Sequence, residues 1–425
     1  MCTIDRMSLI SPSPTRSDRR ARVAVAALFF TNGALFANLI PRYPQIKADL
    51  GLSNAAYGLA VAAFPTGAIV AGLGAGLLIR RFGSARVAVG GTWLTAVAVL
   101  AAALMPSAAG FSAALFLAGA MDAITDVAQN AHGLRVQRRY RRSIINSFHA
   151  VWSIGAVTGG AMAAVAIALD VPLGTHLTVS ALLFASVALV ALRFCLPGPD
   201  VTPLDSDADV RQDTSIRRVP VRTVLAIAAL VLIATTGTLV EDAGNTWAAV
   251  YLSGSLGASS AVAAAGFVAL VGAQFVGRVL GDRLVDRFGP RTVARSGGAI
   301  VAVGMGLALA FPTVPGTILG FAAAGFGVAT LVPGAMHVAD ELPGLKAGTG
   351  LTIVSWLMRL GFLLSPPVVG AVADATSLRA GLLVVPLAGL LVIALAGVLG
   401  TRSSAPSSAP SGAPSPEPVV GATRP

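Results

Sequence analysis

Gly281-Asp282-Arg283-Leu284-Val285-Asp286-Arg287-Phe288-Gly289-Pro290-Arg291 is a short charged run between two long apolar ones. Far upstream, Gly76-Leu77-Leu78-Ile79-Arg80-Arg81-Phe82-Gly83-Ser84-Ala85-Arg86 has the same build. Arg81-Phe82-Gly83 falls on Arg287-Phe288-Gly289 at an offset of 289 − 83 = 206 residues. The same offset sets Leu50-Gly51 and Ser53 on Leu256-Gly257 and Ser259, and Gly155 on Gly361. Matches at three separated places with one spacing indicate two related halves.

The blocks around these loops are apolar and each is close to the ~20 residues needed to cross a bilayer core. Six precede a central break, at about 22–42, 54–79, 87–106, 108–133, 144–168 and 175–196. Six follow it, at about 222–251, 259–283, 292–312, 314–340, 349–374 and 376–400. Hydrophobic residues make up 55% of the chain and charged residues 12%. Ordinary soluble domains carry about 25% charge, so a water-soluble fold is excluded. The reading is an all-α membrane protein with twelve transmembrane helices in two pseudo-symmetric six-helix halves around a central cavity. The sequence divides into an N-terminal tail (1–21), a first half (22–196), a polar connector (197–221), a second half (222–400) and a Ser/Ala/Pro/Gly tail (401–425). Both tails are expected to be disordered.

The net charge of +11 sits in arginine clusters at alternate junctions: 19–22, 80–86, 135–142, 217–222 and 283–295. Arg42, Lys47 and Arg379 are exceptions at the other junctions. That alternation follows the positive-inside rule and assigns both termini and the basic loops to the cytoplasm. It argues against a nucleic-acid partner, which calls for basic residues on one face of one element. The first block follows a basic stretch as a signal peptide would, but it runs into Pro41-Arg42-Tyr43-Pro44 with no small-residue cleavage site, so it reads as a retained helix. Two cysteines, Cys2 and Cys195, support neither a disulfide framework nor a metal site, and no cofactor is implied. Arginine far exceeds lysine and alanine is abundant, a composition that suits a bacterial source, and the expected location is the bacterial cytoplasmic membrane.

The two loops resemble the cytoplasmic loop motif of the major facilitator superfamily: Gly, an apolar pair, Asp-Arg, any residue, Gly, then basic residues. Glycine permits the sharp turn. Asp286 is placed to meet a helix end or a nearby arginine and to latch two helices in one conformation. Gate residues on this reading are Arg80, Arg81, Gly83, Arg278, Asp282, Asp286, Arg287 and Gly289, with Arg278 and Asp282 as a local pair four residues apart. Arg80 stands where the motif has aspartate, and Asp282 where it has its opening glycine, so the latch is expected to be stronger in the second half.

Ionisable side chains at membrane depth cost ~2.5–3.5 kcal/mol or more each and usually face a cavity or a partner. Span 4 carries Asp122, Asp126 and Asn130 on one helical stripe. Span 7 carries Glu241, Asp242 and Asn245, span 1 Asn32, span 5 His149 and Trp152, and span 11 Arg359. Asp126 and Glu241 are the expected proton-carrying carboxylates, since partial dehydration brings a carboxyl group toward neutrality. On the structural alternative Arg359 neutralises one of them in a buried ion pair. His149 reads as a packing donor or a proton relay, and Trp152 and Trp247 as interfacial anchors or stacking surfaces.

Thr31-Asn32-Gly33, Asp126 to Asn130, His149 to Trp152 and Glu241 resemble a bacterial branch of the superfamily similar to fucose permeases. That resemblance implies proton-coupled movement of a sugar-like or other polar metabolite. Span 4 lacks the embedded arginine, and span 5 the proline, of drug antiporters, although Gly361, Ser365, Pro366, Pro367 and Gly370 give span 11 a comparable pattern. Proton-antiport export of a drug or secondary metabolite stays open. So does a transporter-shaped sensor, or an intramembrane enzyme with Asp122/Asp126 and Asp282/Asp286 as metal-holding pairs. The expected partners are a small-molecule substrate, protons and the lipid bilayer, with the protein acting as a monomer and not as an enzyme.

Overall fold

The computed structural model describes residues 15–140, 144–198, 220–342, 344–345 and 348–400. Arg141, Arg142, Arg217, Arg218, Cys2, most of the connector and the tail from Thr401 lie outside the described residues.

Among the described residues, twelve helical spans are long and apolar enough to cross a membrane: Arg16–Asp49, Asn54–Gly72, Ser84–Leu104, Ala108–Tyr140, Ser147–Ala168, Leu173–Leu192, Val221–Gly254, Ser260–Phe288, Pro290–Ala310, Val314–Asp340, Thr349–Ala375 and Leu378–Gly400. They are numbered 1 to 12 below. Their outer faces are apolar, with Leu182, Leu319 and Leu387 exposed at 60%, 69% and 61%. Soluble proteins rarely leave such side chains in contiguous patches. Here they are the surface that meets lipid.

The duplication is visible in backbone geometry. Gly83 and Gly289 close the loops after spans 2 and 8 with φ of 84° and 78°, and ψ of 147° and 154°. Gly51 and Gly257 take φ of 61° and 66° at the opposite end. An added side chain would strain all four turns. Ser53 and Ser259 each accept a hydrogen bond from the backbone N–H three residues on, capping spans 2 and 8. Gly155 packs span 5 on the Phe30 carbonyl of span 1, and Gly361 packs span 11 on Thr235 and Thr238 of span 7. Equivalent glycines thus serve equivalent helix pairs, as small residues do where membrane helices approach closely.

Several expected boundaries are corrected. Span 1 begins at Arg16, six residues before the expected start at 22, because Thr15 and Asp18 form a reciprocal capping box. Pro41-Arg42-Tyr43-Pro44 does not end the first helix in a polar loop. A 3-10 turn over Ile40–Arg42 leads into a helix over Tyr43–Asp49, with prolines at tolerated first-turn positions. Arg42 is 5% exposed there and donates to the Val171 carbonyl at 2.7 Å.

Four spans are also interrupted. Span 2 divides into Asn54–Val61 and Ala63–Gly72, with a separate helix over Ala75–Phe82 after it, and span 12 into Leu378–Gly381 and Val384–Leu395. Span 10 divides into Val314–Val328 and Leu331–Asp340, and span 11 into Thr349–Leu357 and Arg359–Ala375, with Pro366 and Pro367 inside the latter. Carbonyls freed at such breaks need other donors inside a membrane. Thr238 of span 7 supplies one, its hydroxyl donating to the Met358 carbonyl at 2.7 Å.

Candidate functional site

Membrane-depth polar residues of the first half converge on Asn32. Its Nδ2 donates to Asp122 Oδ1 at 2.7 Å, and its Oδ1 accepts from Trp152 Nε1 at 2.8 Å. One amide therefore ties spans 1, 4 and 5 together and uses both of its polar ends. In the second half Gln274 Nε2 donates to Glu241 Oε2 at 2.6 Å, and Arg278 Nη2 lies 3.6 Å from the same oxygen. Asp242, the next residue on span 7, accepts from Thr246 Oγ1 at 3.5 Å and is 9% exposed. Arg278 Nη1 also crosses between the halves to Ser153 Oγ at 3.4 Å.

These groups line one central cavity of about 350 Å³ built from spans 1, 2, 4, 5, 7, 8 and 11. Its apolar wall is aromatic: Phe36 and Phe64 stack at 4.1 Å, with Phe267 and Phe362 from the second half. Tyr43 Oη and Asn245 Oδ1 are buried in the cavity wall without a protein partner.

The two ends of the cavity differ. At the end away from the basic loops the halves are fastened together. Tyr57 of span 2 donates its hydroxyl to the Thr246 carbonyl of span 7 at 2.9 Å and meets the Trp247 ring edge-on at 5.1 Å. Asp374 of span 11 accepts from the backbone N–H of Asn54 and Ala55 at 2.9 and 2.8 Å, at the start of span 2. Gly58 packs on the Pro366 carbonyl and Gly370 on the Asn54 carbonyl. Toward the basic end, Asp126, His149 and Arg359 are all exposed. Asp126 is held by Asn130, whose Nδ2 donates to its Oδ1 at 3.0 Å. It lies within electrostatic reach of His149 and of Arg359 from the opposite half. The structure is closed at one end and open at the basic end.

Asn32, Asp122, Trp152, Glu241, Asp242, Asn245 and Arg359 line the cavity as expected residues brought together. Asp126, Asn130 and His149 sit nearer its mouth, with His149 edge-on to Phe29 at 5.2 Å. One expected pairing is replaced. Arg278 is not paired with Asp282: its side chain turns into the cavity and meets Glu241, because a residue mid-span is nearer the opposite wall than the loop. On the structural alternative, Arg359 makes no ion pair with a described residue, and the cation beside Glu241 is Arg278. The latch, expected to close in one conformation and release in the other, is released here. Asp282 and Asp286 are exposed and bond to no described residue, while Arg81 and Arg287 lie over their own neighbours Phe82 and Phe288, each at 5.3 Å. Arg80, Gly83 and Gly289 stay at the same basic-end turns.

Gln274, Tyr43 and the aromatic wall were missed by sequence reasoning. Gln274 carried a usable signal, since it lies four residues before Arg278 on the same face of span 8, the spacing that singled out Asp122 and Asp126. Trp247, read as an anchor or a stacking platform, is neither: it is fully buried in the closed end. Among the described residues no group of three or more His, Cys, Asp or Glu side chains is placed to hold a metal ion.

Two six-helix halves, each internally bonded, with a polar cavity between them and one end closed, define a multi-pass membrane transporter. The pattern of the Major Facilitator Superfamily matches residues 25–283 and again 242–424, and the chain belongs to that superfamily. It is 30% identical over 365 residues to "Uncharacterized transporter y4wD" of Sinorhizobium fredii, which covers 85% of this chain and 94% of the relative. A crystal structure of a D-xylose-proton symporter superposes with a TM-score of 0.68 at 17% identity, covering 90% of this chain and 97% of the other. A crystal structure of the E. coli fucose:proton symporter superposes with a TM-score of 0.57 at 19% identity, covering 91% of this chain and 100% of the other.

Proposed function

We propose that this protein is a secondary active transporter that moves a small polar, sugar-like or organic metabolite across the bacterial cytoplasmic membrane, coupled to protons, by alternating access. The observation that carries the reading is the shared chamber. Carboxylates from both halves, Asp122 and Glu241 in its wall and Asp126 at its mouth, face a space that one end seals and the other leaves open. A carboxyl group there can take a proton from one side and lose it to the other as the halves rock. The solved symporters that share the fold are named for D-xylose and fucose, which favours a polyhydroxylated cargo. Positive-inside charge puts the basic loops and both termini in the cytoplasm, so the open end faces inward. In the outward-facing state Asp286 and Arg287 latch the basic end. One chain supplies both halves and acts as a monomer, with no chemical turnover of its cargo.

The aromatic wall favours one further reading, proton-antiport export of an amphipathic drug or secondary metabolite. One experiment separates the two. The protein is reconstituted in liposomes, and labelled solutes, chosen by thermal stabilisation across a metabolite panel, are offered under an imposed pH gradient. Uptake predicts accumulation on the side toward which protons flow; export predicts the reverse. Solute movement indifferent to the gradient would refute proton coupling.

A further inference from the structure

Spans 1 and 6 leave a groove between them on the lipid-facing surface at the basic end, with a volume of about 760 Å³. Arg16, Arg19 and Arg20 stand at its mouth, with Val23 below them on the same face of span 1. Val190 and Phe194 of span 6 form the opposite wall, and Val23, Val190 and Phe194 are exposed at 69%, 55% and 44%. Helical spacing makes this a continuous stripe, because the lining positions of span 1 from Arg16 to Ala27 recur every three or four residues. On span 6 the apolar lining runs from Leu183 to Ala191, eight steps of 1.5 Å or ~12 Å. That is most of the ~15 Å that one leaflet contributes to the ~30 Å hydrocarbon core.

We propose that this groove binds one phospholipid with an anionic headgroup, its acyl chain along the apolar stripe and its phosphate among the three guanidinium groups. Charge complementarity selects the occupant. A zwitterionic lipid offers the same chain but little net charge, whereas each arginine near a membrane surface favours an anionic lipid by about fivefold. Arg22, on another face of span 1, lies over the Tyr140 ring at 5.6 Å, and Arg139 bridges to Asp18 at 3.4 Å. Arg16 and Arg19 in the first turn of the helix, with Arg20 just past it, oppose its dipole, so the cluster does not stabilise the helix.

The test uses the full chain purified in detergent. Binding of phosphatidylglycerol and of phosphatidylcholine with identical chains is measured by native mass spectrometry and by the shift in Tm. The expected result is a phosphatidylglycerol preference of ~25-fold or more, the contribution of Arg16 and Arg20. It is lost in the Arg16→Gln/Arg19→Gln/Arg20→Gln variant and kept in Arg222→Gln, which removes a basic residue from another helix. Val187→Trp, filling the groove without touching charge, should lower binding of both lipids at this site. Equal shifts for the two lipids, a preference that survives the triple substitution, or the full stabilisation produced by inorganic phosphate alone would each overturn the proposal.

Discussion

Glu241 and Arg278 illustrate what a single residue decides in this chamber. Arg278 is 38% exposed and Glu241 15%, so the pair is only partly shielded from water. Replacing Arg278 by Met strands the Glu241 charge and should destabilise the protein by about 1–3 kcal/mol, below the range for a fully buried pair. The double variant Arg278→Met/Glu241→Gln should recover most of that loss, as thermal unfolding in detergent would show. Flux makes a separate demand. Asp126→Asn and Glu241→Gln should each abolish proton-driven accumulation in proteoliposomes while the folded protein still binds its solute; full accumulation by both variants would remove the carboxylate assignment. Cys195 just past span 6 gives a local probe of burial, which pushes its thiol up to about 11. The neutral thiol is the form the fold prefers, so its stabilising effect fades as pH rises above the ordinary thiol range. Iodoacetamide should alkylate Cys195 slowly at pH 7.5 and faster as pH approaches 11, followed by mass spectrometry of the peptide.

At the scale of the helix, glycines set how closely the spans approach. Gly361 faces the Thr238 hydroxyl and the Thr235 carbonyl, and Thr238 is also the donor that satisfies the break at Met358. Gly361→Leu should force spans 7 and 11 apart and cost that carbonyl its Thr238 donor, leaving it only the residue 361 N–H. The expected effect is a fall of several degrees in Tm, whereas Gly272→Leu, at a position with open space around it, should change little. Much of this level was legible beforehand. Long apolar blocks gave twelve spans, and the offset that aligns Gly83 with Gly289 located turns whose φ values agree within a few degrees. The breaks in spans 2, 10, 11 and 12 were not legible, since hydropathy is blind to a local loss of one or two hydrogen bonds. Nor could periodicity place Arg278. It fixes which residues share a face of span 8 but not how that face is turned toward span 7, which tertiary packing decides.

The whole molecule is asymmetric along the membrane normal because one end is fastened and the other is not. Asp374 joins the end of span 11 to the first backbone N–H groups of span 2, and Tyr57 joins span 2 to span 7. Asp374→Ala should loosen this closure and shift the population toward the opposite conformation. Spin labels at Asp49→Cys and Ser255→Cys, exposed positions on the two halves at that end, should then show a longer distance component in a background without Cys2 and Cys195. An unchanged distance distribution would mean that Asp374 is not a fastening.

Asn32 has a consequence for how a solute is let go. Its amide is committed at both ends to its own half, and Glu241 is bonded just as firmly within the other. The Arg278 contact to Ser153 at 3.4 Å crosses between the halves and parts when they swing, while each wall's own bonds can stay. A passenger leaning on Asn32 would feel the same surface throughout its journey, and departure would come from the room changing doors and not from the furniture being rearranged.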